Sequence, residues 1–521
     1  MEYGLNAVLD LMKQAQANPQ QAPDDIRKAW NQPSSATTGL NYYDLEAPAK
    51  KLYPVITPLR NRIARVGGGK GTAVNWKAIT GINVNSLAGG VSDGNRGGVI
   101  ATTLVDKVVA YRGMGFEDYV TFEADWSAQG FDDAKARAVE GLLRSLMIYE
   151  EKIDLGGNTS IALGTTPTPT TALVAGGAMT AQATNVICIA LTLESFLAAS
   201  VAGGVVVGPV ARTNADSSSD SYGSGAARKS AASAQTTAGG NLSISATVAP
   251  VRGAVAYAWF VGASGSELLH SITTINSALF VANATGTQNA SAHPASDQSR
   301  NTLVYDGLIG QCFGGASASL TSLIAVGSTA TIYTSTGTDG SGSLIGQMAT
   351  GTAGTGTILT ADGKGGIVEI DAMLRAFWDT YRLGPDTIYV SAQEAQNITT
   401  KVLAGSANPA FRFNISGAQD GLMGGMFVTS YLNKFNPGGP KALKIEIHPN
   451  MPAGTILFYS SDIPYPTSNV GNIVQKKTRK DYYQLEWPIR SRKYEYGVYV
   501  DGVLQNYFPP AFGLLTNIAN G

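Results

Sequence analysis

One long helical stretch, residues 131–157, constrains the fold of this chain more than any other segment. Its apolar side chains recur at the spacing of a single helical face: Ala138, Val139, Leu142, Leu143, Leu146, Tyr149 and Ile153. We expect Asp132 and Asp133 in the first turn, where the helix dipole favours negative charge. We expect Gly156 and Gly157 to end the helix in the left-handed conformation. The length suits either a rigid strut or an ordinary long core helix.

The bulk composition favours strands and turns over a helical bundle. The chain has 521 residues, enough for about two to four domains, with 61 glycines and only 14% charged residues. Its net charge of −1 gives no overall positive field that would attract nucleic acid. So few charges also leave little to keep copies of the chain apart, which is a hint of self-association.

Cysteine usage and hydropathy exclude several classes of protein. Two cysteines, Cys188 and Cys312, are too few for a disulfide framework or a four-ligand zinc site, and we expect both to be reduced in apolar surroundings. The N-terminal residues lack the basic and then apolar pattern of a signal peptide. The most apolar run, residues 186–210, is interrupted by Glu194, glycines and a proline, and it predicts strands with a short helix instead of a membrane span.

The N-terminal residues 1–50 are predicted to form an arm. Pro19, Pro23 and Pro33 interrupt the segment after one narrow helical stripe, so it has little core of its own. A segment of this kind is expected to lean on another domain or on another subunit.

Two alternating segments within residues 59–119 predict a long β-hairpin with a glycine-rich tip. In the first segment Val74, Trp76 and Ala78 alternate with other residues, and residues 99–111 alternate in the same way. Because a two-stranded hairpin of this length is marginal alone in water, it must lie against something else. No adjacent stretch of the sequence is an obvious partner.

After the long helix the composition changes. Residues 158–363 are rich in Ser, Thr, Gly and Ala, and short strands alternate with turn residues. This pattern predicts an inserted β-sandwich of the immunoglobulin or fibronectin type III kind. Trp259 is expected to be its buried aromatic anchor.

A compact α/β lobe is predicted to follow. An apolar helical face spans residues 367–381 and is expected to stop at Gly384 and Pro385. A strand at residues 387–390 comes next, followed by a second helix that ends near Gly405.

Two further features complete the predicted C-terminal half. Ser391 and Glu394 form a capping box that opens the second helix of the lobe. Further strands follow that helix, and residues 481–521 are aromatic strand material.

Candidate catalytic residues are few. The three histidines, His270, His293 and His448, have no helical or hairpin spacing to one another, so structural histidines are favoured over a catalytic or metal site. Glu369 and Asp371 lie two positions apart on a predicted helix, share no face, and make a poor acid–base pair. No nucleophile has a convincing base. The sequence therefore predicts no catalytic, cofactor-binding or metal-binding residues and no enzyme.

Two further stretches invite a ligand-binding interpretation. Residues 67–72, GGGKGT, contain a glycine after Lys70 where a phosphate loop needs Ser or Thr, so a glycine-rich turn entering the hairpin is favoured. The second stretch is a basic run: Lys476, Lys477, Arg479 and Lys480. A solvated face is favoured for it, with binding of phosphate or acidic patches and ion pairing between subunits as alternatives.

The order of arm, long hairpin, strut helix, α/β lobe and strand-rich C-terminus resembles a tailed-phage major capsid protein of the Hong Kong 97-type fold. Three strings resemble that family as well. They are LEAPAKKLYPVITPLRNRIARV at residues 45–66, GGIVEIDAMLRAFWD at residues 365–379 and TRKDYYQLEWPIRSRKYEYGVYVDGVLQNYFPPAFGLLTNI at residues 478–518. The resemblance covers most of the chain outside the predicted sandwich.

This resemblance implies an α+β fold with six parts. They are an N-terminal arm at 1–58, an extended hairpin loop over a neighbouring subunit at 59–120, a peripheral domain with the spine helix at 121–157, an inserted immunoglobulin-like β-sandwich region at 158–364, an axial domain at 365–474 and the C-terminal peripheral strands at 475–521. Some members of the family crosslink a hairpin lysine to another subunit. Lys70 and Lys77 lie in that region, but ordinary surface lysines are favoured.

The resemblance also implies a function. The chain would be a structural protein that assembles as pentamers and hexamers into the icosahedral shell of a tailed bacteriophage head, enclosing the dsDNA genome. Portal, scaffolding and decoration proteins are possible further partners, DNA would be contacted weakly at the inner surface, and no membrane is involved. The location would be the virion, after assembly in the host cytoplasm. Alternatives are an encapsulin-like compartment and a phage adhesion or tail component that uses the sandwich.

Overall fold

The computed structural model of the protein describes residues 54–521 apart from a set of gaps. These gaps are residues 83–89, 99–101, 130–132, 238–240, 315–318, 327–328, 337–341, 353, 405–426, 437, 462 and 464–468. Most of the predicted arm and much of the predicted hairpin tip therefore lie outside the described residues, as does Gly405.

Helices and strands are both abundant in the described chain. The helices are α1 (Pro58–Arg62), α2 (Phe122–Ala128), α3 (Ala134–Gly156), α4 (Leu193–Ala198), α5 (Leu308–Cys312), α6 (Val368–Tyr381) and α7 (Ala392–Ala404). Short 3-10 turns lie at Ala290–Ala292 and Pro509–Ala511. Parallel and antiparallel strand pairs both occur, so the predicted α+β class is confirmed.

The strands are numbered along the chain. The first part contains β1 (Ala64–Val66), β2 (Ala73–Ile82), β3 (Thr102–Ala110), β4 (Arg112–Thr121), β5 (Thr170–Ala175), β6 (Ala183–Leu191), β7 (Val210–Thr213), β8 (Ser219–Tyr222), β9 (Ser233–Thr236), β10 (Leu242–Thr247), β11 (Ala256–Gly262), β12 (Leu268–Thr273) and β13 (Ser277–Phe280). The second part contains β14 (Ser319–Val326), β15 (Ala330–Thr336), β16 (Leu344–Met348), β17 (Thr387–Val390), β18 (Ser430–Asn433), β19 (Lys441–Ile447), β20 (Ile456–Tyr459), β21 (Val474–Glu486), β22 (Lys493–Asn506) and β23 (Phe512–Thr516). The apolar run at residues 186–210 thus holds strands and a short helix, as predicted.

The chain divides into two units. Within the described ranges the smaller unit comprises residues 54, 120–129 and 133–137, and the larger unit comprises the remainder. In the smaller unit Thr121 Oγ1 accepts a hydrogen bond from the Ala124 backbone N at 3.3 Å and so caps α2.

The long predicted helix is α3, but its start differs from the expectation. Asp133 precedes the helix, and its Oδ1 accepts hydrogen bonds from the backbone N of Lys135 at 3.1 Å and of Ala136 at 3.0 Å. It therefore caps the helix instead of lying in its first turn. Asp132 lies outside the described residues.

The two glycines at the end of α3 do not supply a left-handed stop. Neither Gly156 nor Gly157 has a positive φ. A Cβ on Gly156 would lie 2.2 Å from Leu193 Cδ2, and one on Gly157 would lie 2.4 Å from the Tyr305 carbonyl oxygen. Glycine is needed here because other segments approach the helix end closely.

The predicted hairpin is real but shorter than expected. Its paired strands are β2 and β3, with Val74 opposite Val109 and Ile79 opposite Leu104. The flanking residues from Leu59 onward form α1 and β1, and Leu59 itself is buried. β1 and β4 belong instead to a four-stranded sheet in the order β1-β21-β22-β4.

The largest described sheet has eight strands in the order β14-β15-β16-β23-β20-β17-β19-β18. Helix α6 packs on it where glycines leave room: a Cβ on Gly346 would lie 2.9 Å from Met373 Sδ, and one on Gly513 would lie 2.5 Å from Phe377 Cζ. The phenyl ring of Phe377 also lies 5.9 Å from that of Phe458. These contacts form the core of the predicted α/β lobe.

This sheet crosses two of the predicted domain boundaries. Strands β14 to β16 belong to it, although the sandwich region was expected to run to residue 364. Strand β23 belongs to it too, although it was expected among the peripheral strands. Strand pairing is set by contacts between residues far apart in sequence, which composition along the chain does not report.

Helix α6 ends differently from the prediction. Arg382, with φ 56°, adopts the left-handed conformation just after the helix and takes the place expected for Gly384. Its guanidinium donates to the Trp378 carbonyl oxygen at 2.8 Å, which satisfies part of the helix end. Gly384 has another role, since a Cβ there would lie 2.0 Å from Asn436 Oδ1.

The capping box of α7 is half formed. Ser391 Oγ accepts a hydrogen bond from the Glu394 backbone N at 3.2 Å, as predicted. The carboxylate of Glu394 instead accepts from the Gly454 backbone N at 3.0 Å. Burial raises the pKa of Glu394 to about 6.

A β-sandwich is present between Thr170 and Phe280. A sheet of β13-β10-β5 faces a sheet of β12-β11-β6-β9. One apolar core joins them: Val186, Cys188, Tyr257, Trp259 and Val261 pack with Ile244, Ala246, Ala278 and Phe280. Trp259 is the buried anchor, and its Nε1 donates to Thr273 Oγ1 at 2.8 Å.

The strand order of this sandwich is not that of an immunoglobulin domain. With its seven strands other than the β7–β8 hairpin lettered A to G, one sheet holds A, D and G and the other holds B, C, E and F. An immunoglobulin domain places A, B, E and D in one sheet. The immunoglobulin topology was therefore a wrong expectation, because alternating short strands specify a sandwich without specifying which strands pair.

We expect replacement of Trp259 by Phe to lower the free energy of unfolding by about 1–3 kcal/mol. The substitution removes part of the buried ring and leaves the Thr273 hydroxyl without its indole donor. Differential scanning calorimetry measures the change. Trp126, which is 54% exposed, is the matched control, and Trp126→Phe should change stability by less than about 0.5 kcal/mol. Equal effects of the two substitutions would contradict the assignment.

Candidate assembly surface and a buried ion cluster

One face of the β2–β3 hairpin is exposed and partly apolar. The residues of this hairpin face are Asn75, Lys77, Ile79, Leu104, Asp106 and Val108. Ile79 is 66% exposed, Leu104 58% and Val108 64%. Lys77 Nζ lies 3.6 Å from Asp106 Oδ1 across the strands. The hairpin face therefore combines three exposed aliphatic side chains with one neutralised ion pair.

The opposite face of the hairpin is half-buried and anchored at its base. Trp76 packs edge-on against Tyr507, with ring centroids 5.8 Å apart. The Tyr111 backbone N donates to the Thr72 carbonyl oxygen at 3.1 Å. The opposite face therefore contacts another segment through Trp76, while the hairpin face is exposed.

The predicted glycine-rich turn enters the hairpin as expected. Gly68 and Gly71 adopt positive φ values of 78° and 71°. The Gly69 backbone N donates to the Thr478 carbonyl oxygen at 2.9 Å, which fixes the turn against β21. Arg479 donates to the Gly71 carbonyl oxygen at 2.9 Å.

An unexpected ion cluster lies at the C-terminal half of α3. Lys476 is 1% exposed, and its Nζ lies 3.0 Å from Glu150 Oε1 and 3.1 Å from Asp154 Oδ1. The Tyr305 hydroxyl donates to Asp154 Oδ1 at 2.6 Å. Burial would raise the pKa of Glu150, but Lys476 and Arg65 outweigh it and lower the pKa to about 2. Burial raises the pKa of Asp154 against the opposing effect of Lys476.

Two arginines from the start of the larger unit complete the cluster. Arg60 Nε lies 3.2 Å from Glu150 Oε2, and Arg65 NH1 lies 2.9 Å from Glu150 Oε1. Tyr482 donates its hydroxyl to Glu150 Oε2. The Arg65 side chain also pairs with Asp481. The cluster therefore ties α1, β1, α3 and β21 together.

The buried position of Lys476 corrects the expectation of a solvated basic face. Strand β21 places alternate side chains on opposite faces, so Lys476 points inward, while Lys477 donates to the Gly67 carbonyl oxygen at 2.9 Å. Arg479 pairs with Asp501, and Lys480 Nζ lies 4.3 Å from the ring centroid of Tyr483. The charged side chains of this run therefore lie partly in the protein interior and partly on its surface.

Glu151 forms a second buried site beside the cluster. Its Oε1 accepts from the Leu59 backbone N at 2.9 Å, and its Oε2 accepts from the Arg60 backbone N at 2.7 Å. His448 Nε2 lies 2.6 Å from Glu151 Oε1, while His448 Nδ1 accepts from the Asn450 backbone N at 3.1 Å. This pattern assigns the proton to Nε2 and makes His448 a structural histidine.

The other two histidines also have structural surroundings. His270 packs against Phe280, with ring centroids 4.8 Å apart, and His293 packs against Phe260 at 5.5 Å. Burial lowers the pKa of both, to about 4 for His293. Both imidazoles are therefore neutral near pH 7, and each ring packs against a phenylalanine ring.

The carboxylates of α6 have separate partners, as their spacing predicted. Glu369 Oε2 accepts from the Thr360 backbone N at 2.9 Å. Asp371 accepts from the Tyr431 hydroxyl at 2.7 Å and pairs with Lys434 Nζ at 2.7 Å. Among the described residues no group of three or more His, Cys, Asp or Glu side chains could hold a metal ion.

The two cysteines are free and buried, as predicted. Burial raises the pKa of the Cys188 thiol well above its ordinary range and that of Cys312 to about 12. None of the helices in the described residues has the length and apolar character to cross a membrane.

Glu194 predicts a measurable pH dependence. Burial, with a smaller contribution from nearby Asp306, raises the pKa of its carboxyl to about 7, although Asn301 donates to it at 3.3 Å. The pKa of Glu194 is higher in the folded chain than in the unfolded chain, so folding favours the protonated carboxyl. The stability that this carboxyl contributes is full below about pH 4.5 and is lost as the pH rises through 7. We expect Glu194→Gln to remove about 2 kcal/mol of the fall in stability between pH 5 and 8.

Thermal melts of the wild type and Glu194→Gln across that pH range measure the difference. Glu194 as a whole is half-buried, and this partial access of solvent keeps the expected size below that of a fully enclosed acid. Glu486→Gln, at an exposed position of β21, is the control and should leave the pH slope unchanged. Parallel slopes for wild type and Glu194→Gln would refute this assignment.

Comparisons with solved structures return capsids over most of the chain. The capsid of Myoviridae phage XM1 aligns with 91% of this chain and 95% of its own chain, at 10% identity and a TM-score of 0.38. The capsid of the native GTA particle aligns with 92% and 96%, at 9% identity and a TM-score of 0.38. The cyanophage A-1(L) capsid aligns with 92% and 97%, at 10% identity and a TM-score of 0.37.

No protein-family model matches the chain. No curated protein matches it either.

Proposed function

We propose that the chain is the major capsid protein of a tailed bacteriophage and assembles into the icosahedral shell that encloses the dsDNA genome. The observation that carries this proposal is the hairpin face, where Ile79, Leu104 and Val108 are each more than half exposed. A soluble monomer gains nothing from three aliphatic side chains on an isolated two-stranded ribbon. A shell protein buries such a surface against neighbouring copies.

The chemistry of the hairpin face suits a protein partner. Lys77 and Asp106 pair with each other, so the hairpin face carries no net charge, and burial of this pair has a desolvation cost that its attraction offsets only in part. The aliphatic side chains of Ile79 and Leu104 lie directly across the strands from each other, and the Lys77–Asp106 pair separates them from Val108 on the same face. Low charge over the whole chain, 14% of residues, favours contact between copies.

The proposed layout follows the Hong Kong 97-type fold with revised boundaries. The hairpin is the extended loop and α3 is the spine helix, with β1, β4, β21 and β22 as the sheet of the peripheral domain. The eight-stranded sheet with α6 and α7 is the axial domain, which now includes β14 to β16 and β23. The sandwich is an insertion projecting from the shell, and residues 1–58 are the arm.

The proposed partners follow from the same assignment. Copies of the chain form pentamers and hexamers, with portal, scaffolding and decoration proteins as further partners. The net charge of −1 suits weak contact with packaged DNA. The proposed location is the virion, after assembly in the host cytoplasm, and no activity on an external substrate is proposed.

Negative-stain electron microscopy of the purified full chain tests the proposal, together with light scattering. The proposal predicts closed shells of uniform size, alone or with a co-expressed scaffolding protein. A monodisperse monomer under all assembly conditions would contradict it. Shells that enclose a protein cargo and no DNA would favour an encapsulin-like compartment, and rings or fibres would favour a tail or adhesion component.

A further inference from the structure

The ion cluster contains the parts needed for a covalent bond between two of its side chains. We propose that Lys476 and Asp154 condense after folding into an isopeptide bond, so that the chain modifies itself at this site. Their reacting groups come from two rigid elements, β21 and α3, and Nζ lies 3.1 Å from Oδ1. Lys476 is 1% exposed and the Asp154 side chain 2%, so the pair is enclosed.

A second carboxylate is placed where the reaction needs a proton acceptor. Glu150 Oε1 lies 3.0 Å from the same Nζ. Arg60 and Arg65 pair with Glu150 independently of Lys476, so the carboxylate keeps its charge partners when the lysine becomes neutral. A general base must lie within hydrogen-bonding distance of the proton that it removes, and Glu150 meets that condition.

Tyr305 is placed to stabilise the oxygen on which charge develops. Its hydroxyl donates to Asp154 Oδ1 at 2.6 Å and also contacts Lys476 Nζ. A hydrogen-bond donor on the carbonyl oxygen stabilises the tetrahedral intermediate of acyl transfer in an enclosed site. Tyr305 therefore contacts both reacting groups, and Glu150 contacts the lysine nitrogen.

The reaction balances without an external reagent. A proton passes from the Lys476 ammonium to the Asp154 carboxylate, and burial, which raises the pKa of Asp154, favours that transfer. The neutral amine then attacks Cγ and forms the C–N bond. Glu150 takes a proton from the nitrogen and returns it to the departing hydroxyl, so that one water leaves as the C–O bond breaks.

Burial favours the amide over the separated ion pair. Two unlike charges enclosed in protein carry a large desolvation penalty that their attraction offsets only in part. Condensation replaces the pair by a neutral amide, whose N–H can still donate to Glu150 Oε1. The bond would link positions 322 residues apart and fasten β21 to α3.

Peptide mapping and intact mass measurement of the denatured full chain test the proposal. We expect the wild-type mass to be lower than the sequence mass by one water, after allowing for removal of Met1. Trypsin should fail to cut after Lys476, and a branched peptide should join the segments that contain Asp154 and Lys476. A wild-type mass equal to the sequence mass, with normal cleavage after Lys476, would overturn the proposal.

Variants separate this bond from other losses of water. Lys476→Arg keeps the charge but cannot form the amide, and it should restore the full sequence mass. Lys477→Arg changes the neighbouring lysine, which contacts the Gly67 carbonyl oxygen, and should keep the deficit. A deficit that survives Lys476→Arg would refute the assignment. The masses are read on denatured chain, so the result is independent of whether shells form.

Discussion

Replacing both Leu104 and Val108 by lysine should abolish shell formation while leaving the folded subunit intact. Both side chains are more than half exposed in the single chain, so the substitutions remove no internal packing. In the assembled shell they would place two unpaired ammonium groups in an apolar contact. Fully burying a side chain of this size contributes about 1.5–3 kcal/mol, so losing both raises the concentration needed for assembly by at least about 100-fold.

Sedimentation velocity across a concentration series measures this effect, and circular dichroism checks the fold. Val281→Lys, at a 52% exposed residue that directly follows the last strand of the sandwich, controls for added positive charge and should leave assembly unchanged. Leu104→Met with Val108→Ile keeps the apolar character and should also assemble. Assembly of the double lysine variant at wild-type concentrations would contradict the proposed role of the hairpin face.

Replacing Glu150 by Ala should have the largest effect on the stability of the subunit. The substitution removes a fully buried carboxylate and leaves Arg60 and Arg65 close together without their shared partner. Removing one partner of a buried ion pair destabilises a protein by about 3–5 kcal/mol. We therefore expect a loss of this size in the free energy of unfolding of the dissociated subunit, measured by denaturant titration.

A matched control lies on the same helix. Glu140 pairs with Arg144 one turn away at 2.7 Å, and both side chains are exposed. Glu140→Ala should therefore change stability by less than about 0.5 kcal/mol. Similar losses of unfolding free energy for Glu140→Ala and Glu150→Ala would show that the buried ion cluster stabilises the subunit no more than the Glu140–Arg144 pair does.

Local periodicity explains what the sequence could predict. The apolar spacing around Leu142, Leu146 and Ile153 predicts α3, and all three side chains are buried. Alternation around Trp76 predicts the hairpin strands, and the sandwich core does form around Trp259. In each case the signal lies within a dozen or so residues, the scale on which helical and strand periods can be recognised.

Contacts between distant segments explain what the sequence could not predict. Lys476 and Asp154 lie 322 positions apart, so nothing local marks the lysine as buried or names its partner. The glycine at position 156 suggested a helix stop in the sequence. Glycine is needed there because the Leu193 side chain packs against the helix end and leaves no room for a Cβ. The strand order could not be predicted for the same reason, because β23 pairs with β16, which lies far away in the sequence. The acids at Glu150 and Asp154, on the apolar face of α3, are the one local signal that such a site exists.

The central claim, that another copy of the chain covers the hairpin face, can be tested directly by photo-crosslinking. A benzophenone amino acid at position 108 is introduced into full chains grown with light or heavy nitrogen, and the two are mixed before assembly. The account predicts crosslinked peptides that join light and heavy chains after irradiation. Crosslinks confined to peptides of a single chain would show that the hairpin folds back on its own subunit, and would contradict the account.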